Sequence, residues 1–307
     1  MVLALAVLGT VAGSLLVAAG PRFPVAHTRA GLVVGPAFGI WPLLAVLSVA
    51  PAVAAVMLLL VRQWAPALAM TASLGALAVG RALLELQLVR DPARAARAEL
   101  AAPTGLGVLH PGPGAWLLLV GELMLAAGGI AAAVEVGSAR GERSQDEPAS
   151  PPTTLLVGVG CAVLAGVGLL ASPYGSDSPY LVPRSVLDAP GWAAAGGFAL
   201  AVALGLAVAL ACSSPDSRVA AGGLVGAALA VLGVAAPRVV EAAAAPSLRV
   251  AAGPVLALVG ASGLAVLATW VGEHGRRVAL AVAEGRPAGG AAAARVEPLP
   301  AGPSADV

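Results

Sequence analysis

The sequence predicts an all-α, polytopic integral membrane protein with eight transmembrane helices arranged as two parallel four-helix repeats. Three observations carry that prediction. Only 11% of the 307 residues are charged while 59% are hydrophobic, and the mean hydropathy is +0.93. A soluble globule carries about a quarter of its residues as charge, so this chain has too little polar material to cover itself in water. Apolar runs of bilayer length recur along it, separated by polar or Pro/Gly-rich breaks. The two halves of the chain also repeat one another in order and spacing.

A helix needs about 20 apolar residues to cross the hydrocarbon core. The first run, Val2 to Ala19, ends at Gly20-Pro21-Arg22. It lacks the basic n-region of a secretory signal and exceeds the apolar length usual for one, so a retained helix is expected. The second run, Trp41 to Val61, ends at Arg62, and Pro51 in its middle should kink it. The third spans about Ala65 to Val89 and the fourth Ala115 to about Val136. A polar stretch, 138–152, follows as a linker. Then come Thr153 to Ala171, Gly191 to Cys212, Val219 to Ala236, closed by Pro237, and Ala252 to Val271. Each must be helical, because unpaired backbone groups in lipid cost several kcal/mol. The organisation expected is a first repeat over 1–137, the linker over 138–152, a second repeat over 153–272 and a disordered Pro/Ala-rich tail over 273–307.

The five Trp mark the boundaries independently. Trp41, Trp116 and Trp192 fall at one set of helix ends, Trp64 and Trp270 at the other, as rings at the headgroup level do. The set with Trp41 belongs to the long connections, roughly 20–40, 90–114, 172–190 and 237–251, here called the loop face. Both termini and the short turns lie on the opposite, terminal side.

The duplication is read from matched positions. Ala19-Gly20-Pro21 answers to Ala171-Ser172-Pro173, Trp41 to Trp192, and Ala76-Leu77-Ala78-Val79 to Ala228-Leu229-Ala230-Val231. The pattern G-x-x-L-x-L-V-G runs from Gly114 to Gly121 and again from Gly253 to Gly260. The offset is 151 or 152 through three helices and 139 at the fourth, so the loop before the eighth helix is the shorter one. Four spans return the chain to its starting side, so the halves share one orientation about a pseudo-two-fold axis along the membrane normal, unlike inverted-repeat transporters.

The four-span unit resembles the small four-helix membrane proteins of unknown function common in actinobacteria. The likeness lies in the long first loop after Gly20-Pro21, the Trp41 that opens helix two, and the Gly112-Pro113-Gly114 and Gly253-Pro254 starts of Gly-rich fourth helices. It implies a setting, a bacterial inner membrane, and supplies no catalytic residues.

All seventeen basic residues are Arg, against sixteen acidic ones, a balance that removes the electrostatic footprint of a nucleic-acid binder. Per residue of loop the terminal side is the more basic, so both termini are expected in the cytoplasm. Cys161 and Cys212 sit in apolar runs and read as small buried side chains.

Charges inside spans are the candidates for chemistry, because an unpartnered charge in lipid is expensive. Arg81 and Glu85 lie at i and i+4 on helix three, and Glu122 lies two turns inside helix four from the same face. The functional reading of this cluster is a polar site or proton relay opening to the loop face. The structural reading, an ion pair with Arg81 snorkelling outward, is favoured, because no further titratable groups mark a path. The position matching Glu122 in the second half is Ala261. On the loop face Arg22, Arg29, Arg184, Arg238 and Arg249 are candidate contacts for anionic headgroups, with interfacial anchoring as the plainer role. His27 and His110 have no Cys, Asp or Glu at ligand spacing, so no metal or other cofactor is expected. Asp91-Pro92 reads as the start of a short surface helix, and Tyr174, Tyr180, Asp177 and Asp188 as part of an ordered cap. Gly9 with Gly13, and Gly222 with Gly226, are small pairs that permit close helix packing.

No nucleophile elbow, P-loop or zinc-protease motif appears. The expected function is therefore an accessory or scaffold component of the cell envelope whose partners are membrane lipids and other envelope membrane proteins. A small-solute or lipid transporter or channel is the first alternative. A membrane enzyme acting on a lipid-linked substrate is the second, and it lacks a recognisable general base.

Overall fold

The computed structural model describes residues 2–28, 33–34, 41–92, 108–141, 152–176, 185–188, 191–244 and 248–283. Eight helices within them are long and apolar enough to cross a membrane. They are α1 (Val2–Ala19), α2 (Trp41–Leu60), α3 (Trp64–Arg90), α4 (Pro113–Gly141), α5 (Pro152–Leu170), α6 (Trp192–Cys212), α7 (Ser217–Ala244) and α8 (Ala252–Ala283). The chain is thus an all-α polytopic membrane protein, with helices opening where the sequence places Trp41, Trp64 and Trp192.

Three helix ends differ from expectation. α4 continues past Val136 to Gly141, so the first part of the expected linker, 138–141, is helical. α7 does not stop at Ala236 but runs through Pro237 to Ala244. Pro lacks an N–H and its ring presses on the carbonyl four residues back. That residue is Gly233, which adds no side chain to the crowding. Arg238 and Glu241 therefore ride on a helix and not in a loop. α8 continues past Val271 to Ala283, so the first part of the expected tail, 273–283, is helical. Trp270 stacks on His274 with centroids 5.6 Å apart, and Glu273 pairs with Arg277 at 3.6 Å across one turn. The second contact is exposed at both ends and adds little stability. Residues 284–307 of the tail lie outside the described residues, as do most of the helix expected after Asp91 and both Asp177 and Tyr180.

Short strands join the loop-face ends. β1 (Ala26–Thr28) pairs antiparallel with β2 (Val33–Val34) and with β3 (Leu109–Pro111), and β4 (Tyr174–Ser176) pairs antiparallel with β5 (Leu248–Val250). β1 follows α1 and β3 precedes α4, just as β4 follows α5 and β5 precedes α8. Each sheet thereby clasps the first and fourth helix of its half.

Lipid tails are as apolar as the helices, so close packing and not water exclusion holds the bundle together. α4 packs on α1 and α3, α8 packs on α5 and α7, and α3 lies against both α6 and α7. The Gly pairs seen in the sequence work as expected: Gly9 faces the Gly128 backbone and Gly13 the Gly121 carbonyl, while Gly222 and Gly226 sit on the carbonyls of Pro66 and Met70. The core between α3, α5, α6, α7 and α8 is built from Met70, Leu77, Leu200, Leu204, Leu224, Val231 and Leu264. α2 stands apart from this packing. It is the least buried of the eight helices, with 17% of its span buried, and it touches α7 only sparsely.

Candidate functional site

Arg81 projects from α3 nine residues before its loop-face end at Arg90, a depth of about 14 Å at 1.5 Å per residue. Glu122 lies nine residues into α4 from Pro113, at matching depth. The two meet: Arg81 Nη2 stands 2.6 Å from Glu122 Oε1, with the Glu122 side chain 1% exposed and that of Arg81 23%. A charge-assisted bond of this length is among the stronger polar contacts available to a protein. The residual exposure of Arg81 has a specific cause, since its guanidinium forms part of a cavity wall.

That cavity, about 170 Å³ and partly open, lies at the loop-face end of the seam between the two halves. Arg81, Glu85 and Gln87 reach it from α3, Arg238 and Glu241 from α7, Ser48 from α2 and Tyr174 from β4, with Leu44, Leu84, Leu118 and Val234 as apolar wall. Tyr174 donates its hydroxyl to Glu241 Oε2 at 2.5 Å. A second void of about 20 Å³ shares Val17, Ser48, Arg81 and Gly233 with it and extends toward Ser14, Pro51 and Leu74. That volume suffices for one water. Deeper than the Leu74 and Leu229 that line this void, Met70 and Leu224 are fully buried, so the polar space ends blind above an apolar layer.

Room for the guanidinium comes from across the seam. Gly233 of α7 faces Arg81, and a Cβ built there would stand 4.0 Å from Nη1. Glycines also set how the neighbouring helices sit. Gly80 meets the Leu200 backbone, and Gly196 stands against the Gly80 carbonyl and the Leu84 amide. They bring α6 tightly onto α3 beside the cavity, whose lining includes Leu84 of α3 and Ala193 of α6.

The sequence-derived cluster Arg81, Glu85 and Glu122 is therefore brought together: Arg81 and Glu122 as an ion pair, Glu85 in the same cavity. Of the five loop-face Arg, the three among the described residues, Arg22, Arg238 and Arg249, are not brought together. Arg238 lines the cavity. Arg22 lies over the Trp41 ring at 5.7 Å, an interfacial cation–π contact that Arg90 repeats over Trp192 at 5.6 Å. Arg249 is exposed on β5, and Arg29 and Arg184 lie outside the described residues. His27 and His110 face each other across β1 and β3 with centroids 5.9 Å apart, and no group of three metal-ligating side chains occurs among the described residues. Ser185 and Asp188 close a local turn through a 2.6 Å hydrogen bond.

Sequence reasoning missed Ser48, Gln87 and Glu241, and it placed Tyr174 in a cap without bringing it to the cavity. Glu241 was legible in principle, because Arg238 and Glu241 stand three apart with no Gly between them and share a face if the helix survives Pro237. No protein-family model, curated protein or solved structure matches the chain.

Proposed function

We propose that this is a bacterial inner-membrane protein built by tandem duplication of a four-helix unit, and that it acts as a ligand-binding accessory component of the envelope. The observation that carries the function is the blind polar cavity at the seam. An open channel would continue it through the bundle, whereas here an apolar layer lies beneath it.

The duplication reading is supported by two patterns. The order of packed neighbours around α1 to α4 recurs around α5 to α8, and β3 to β5 keeps the offset of 139 seen between the fourth and eighth helices. On the offset of 151 or 152 that holds through the first three helices, α2 answers to α6 and α3 to α7. Gly196 of α6 then answers to Ala45 of α2, and Gly80 of α3 to Leu232 of α7. The α3–α6 contact is close because both sides are glycine. Its counterpart between α7 and α2 carries Leu232 and Ala45 and stays loose, which leaves the cavity on one side of the seam alone.

Ser48, which lines both the cavity and the deeper void, gives the test. A Ser48→Cys variant, with Cys161 and Cys212 replaced by Ala, should be modified by a small membrane-impermeant methanethiosulfonate applied from the loop face and protected from the terminal side. Labelling from both sides would identify a conduit, and labelling from neither a sealed scaffold. Orientation is checked separately: a reporter active only outside the cytoplasm, fused near Ala95, should be active, and one fused at the C-terminus silent. The reverse pattern would place the termini outside.

A further inference from the structure

Resting on the reading of the seam cavity as a binding site, we propose that its ligand is a compact zwitterion, bound with its anionic group toward Arg81 and Arg238 and its ammonium group toward Glu85 and Glu241. The argument begins with size. A dry cavity of about 150 Å³ holds a benzene ring, so about 170 Å³ takes a group of roughly six to ten heavy atoms. Nucleotides and sugars of more than one ring are too large.

Charge narrows the class. α3 and α7 each bring one Arg and one Glu to the lining, Arg81 with Glu85 and Arg238 with Glu241, spaced at four and three residues on their helices. Both spacings put the two side chains on one face, one turn apart. On both helices the Arg is the deeper member and the Glu the nearer to the loop face, because α3 ends at Arg90 and α7 at Ala244. With Glu122 paired behind Arg81, the bottom keeps a net positive charge from Arg81 and Arg238 together, and Glu85 and Glu241 make the mouth negative. A simple anion would have to pass and sit beside two carboxylates. A simple cation would meet Arg81 and Arg238 where it came to rest. A ligand carrying both charges about a helical turn apart meets each with its opposite, entering anion first.

The remaining lining fits the same ligand. Ser48, Gln87 and Tyr174 supply neutral hydrogen-bonding groups, and Leu44, Leu84 and Val234 face the alkyl part between the charges. This chemistry has two sources, the headgroup of an ethanolamine phospholipid and a free zwitterion such as phosphoethanolamine. The loosely packed α2 makes one wall of the cavity, and a lipid chain would leave beside it.

The full chain, purified in mild detergent, is tested by native mass spectrometry and by thermal shift with four probes: phosphatidylethanolamine, phosphatidylglycerol, free phosphoethanolamine and inorganic phosphate. Retention or stabilisation by phosphatidylethanolamine alone identifies the lipid source, and an equal effect of free phosphoethanolamine the soluble one. Glu241→Gln, which keeps an acceptor for the Tyr174 hydroxyl, and Arg238→Gln should each weaken the bound probe by about tenfold. Tighter binding of phosphatidylglycerol or inorganic phosphate, or no binding of any probe by a folded protein, would overturn the proposal. Labelling of Ser48→Cys from the loop face in that same preparation would then show that the cavity reading survives and only the ligand class has failed.

Discussion

Glu122→Ala is expected to lower the unfolding free energy in mixed micelles by about 3–5 kcal/mol, the range found when one member of a buried ion pair is removed. The cost is expected to be large because of what remains. Arg81 would keep its charge about 14 Å below the loop-face end of α3, facing a hole where the carboxylate stood 2.6 Å away. Glu122→Gln preserves shape and an acceptor oxygen, so its loss should be smaller. The informative comparison is the double variant Arg81→Met/Glu122→Leu. Replacing a buried pair by apolar side chains of similar volume is often neutral or stabilising, so the double variant should recover most of what the single one loses. A double variant as unstable as Glu122→Ala would place the cost in packing and not in charge. On the proposed duplication the position answering to Glu122 is Ala261, which is buried in the apolar core. If the pair serves ligand binding, the stable double variant will also have lost its bound probe, separating function from stability in one protein.

The parts of this structure that could be read in the sequence are those set by one-dimensional rules. Span number follows from apolar length against bilayer thickness, and helix boundaries at Trp41, Trp64 and Trp192 follow from the affinity of indole for the headgroup layer. Arg81 and Glu122 could be paired because two charges at equal depth in consecutive spans have few other partners. The rest of the cavity depends on placement between elements far apart in sequence. Tyr174 and Glu241, 67 residues apart, meet only because β4 lies beside the end of α7. Glu241 was further concealed by Pro237, which as a local signal ends a helix but here is accommodated opposite Gly233. Arg22 and Arg249 illustrate the converse error. A shared face of the membrane does not bring side chains into one site, and each has its own surroundings at the interface.

Gly75→Ala should destabilise the protein by about 1–3 kcal/mol, the usual cost of overpacking a close contact, and Gly75→Leu should prevent folded protein from accumulating. Gly75 marks the closest approach of α3 and α4. A Cβ on it would overlap the Gly129 Cα and stand 2.7 Å from the Leu125 carbonyl oxygen. Both obstacles are backbone, so no side chain can rotate away and the helices themselves must part. In lipid that separation is not offset by any hydrophobic gain, because packing is what associates the helices. It would also act on the site. Gly75 precedes Arg81 by six residues and Gly129 follows Glu122 by seven, so the crossing lies about 10 Å along the helices from the ion pair, and splaying it stretches that contact. The same substitution at Gly137 of α4, where a new Cβ meets nothing within 4 Å, should be neutral or stabilising by up to about 1 kcal/mol, since Ala is the better helix former. Opposite signs for one chemical change within one helix pair, read by thermal unfolding in the same detergent, would locate the effect in the crossing. A Gly75→Ala protein as stable as Gly137→Ala would mean that α3 and α4 are not held at this distance.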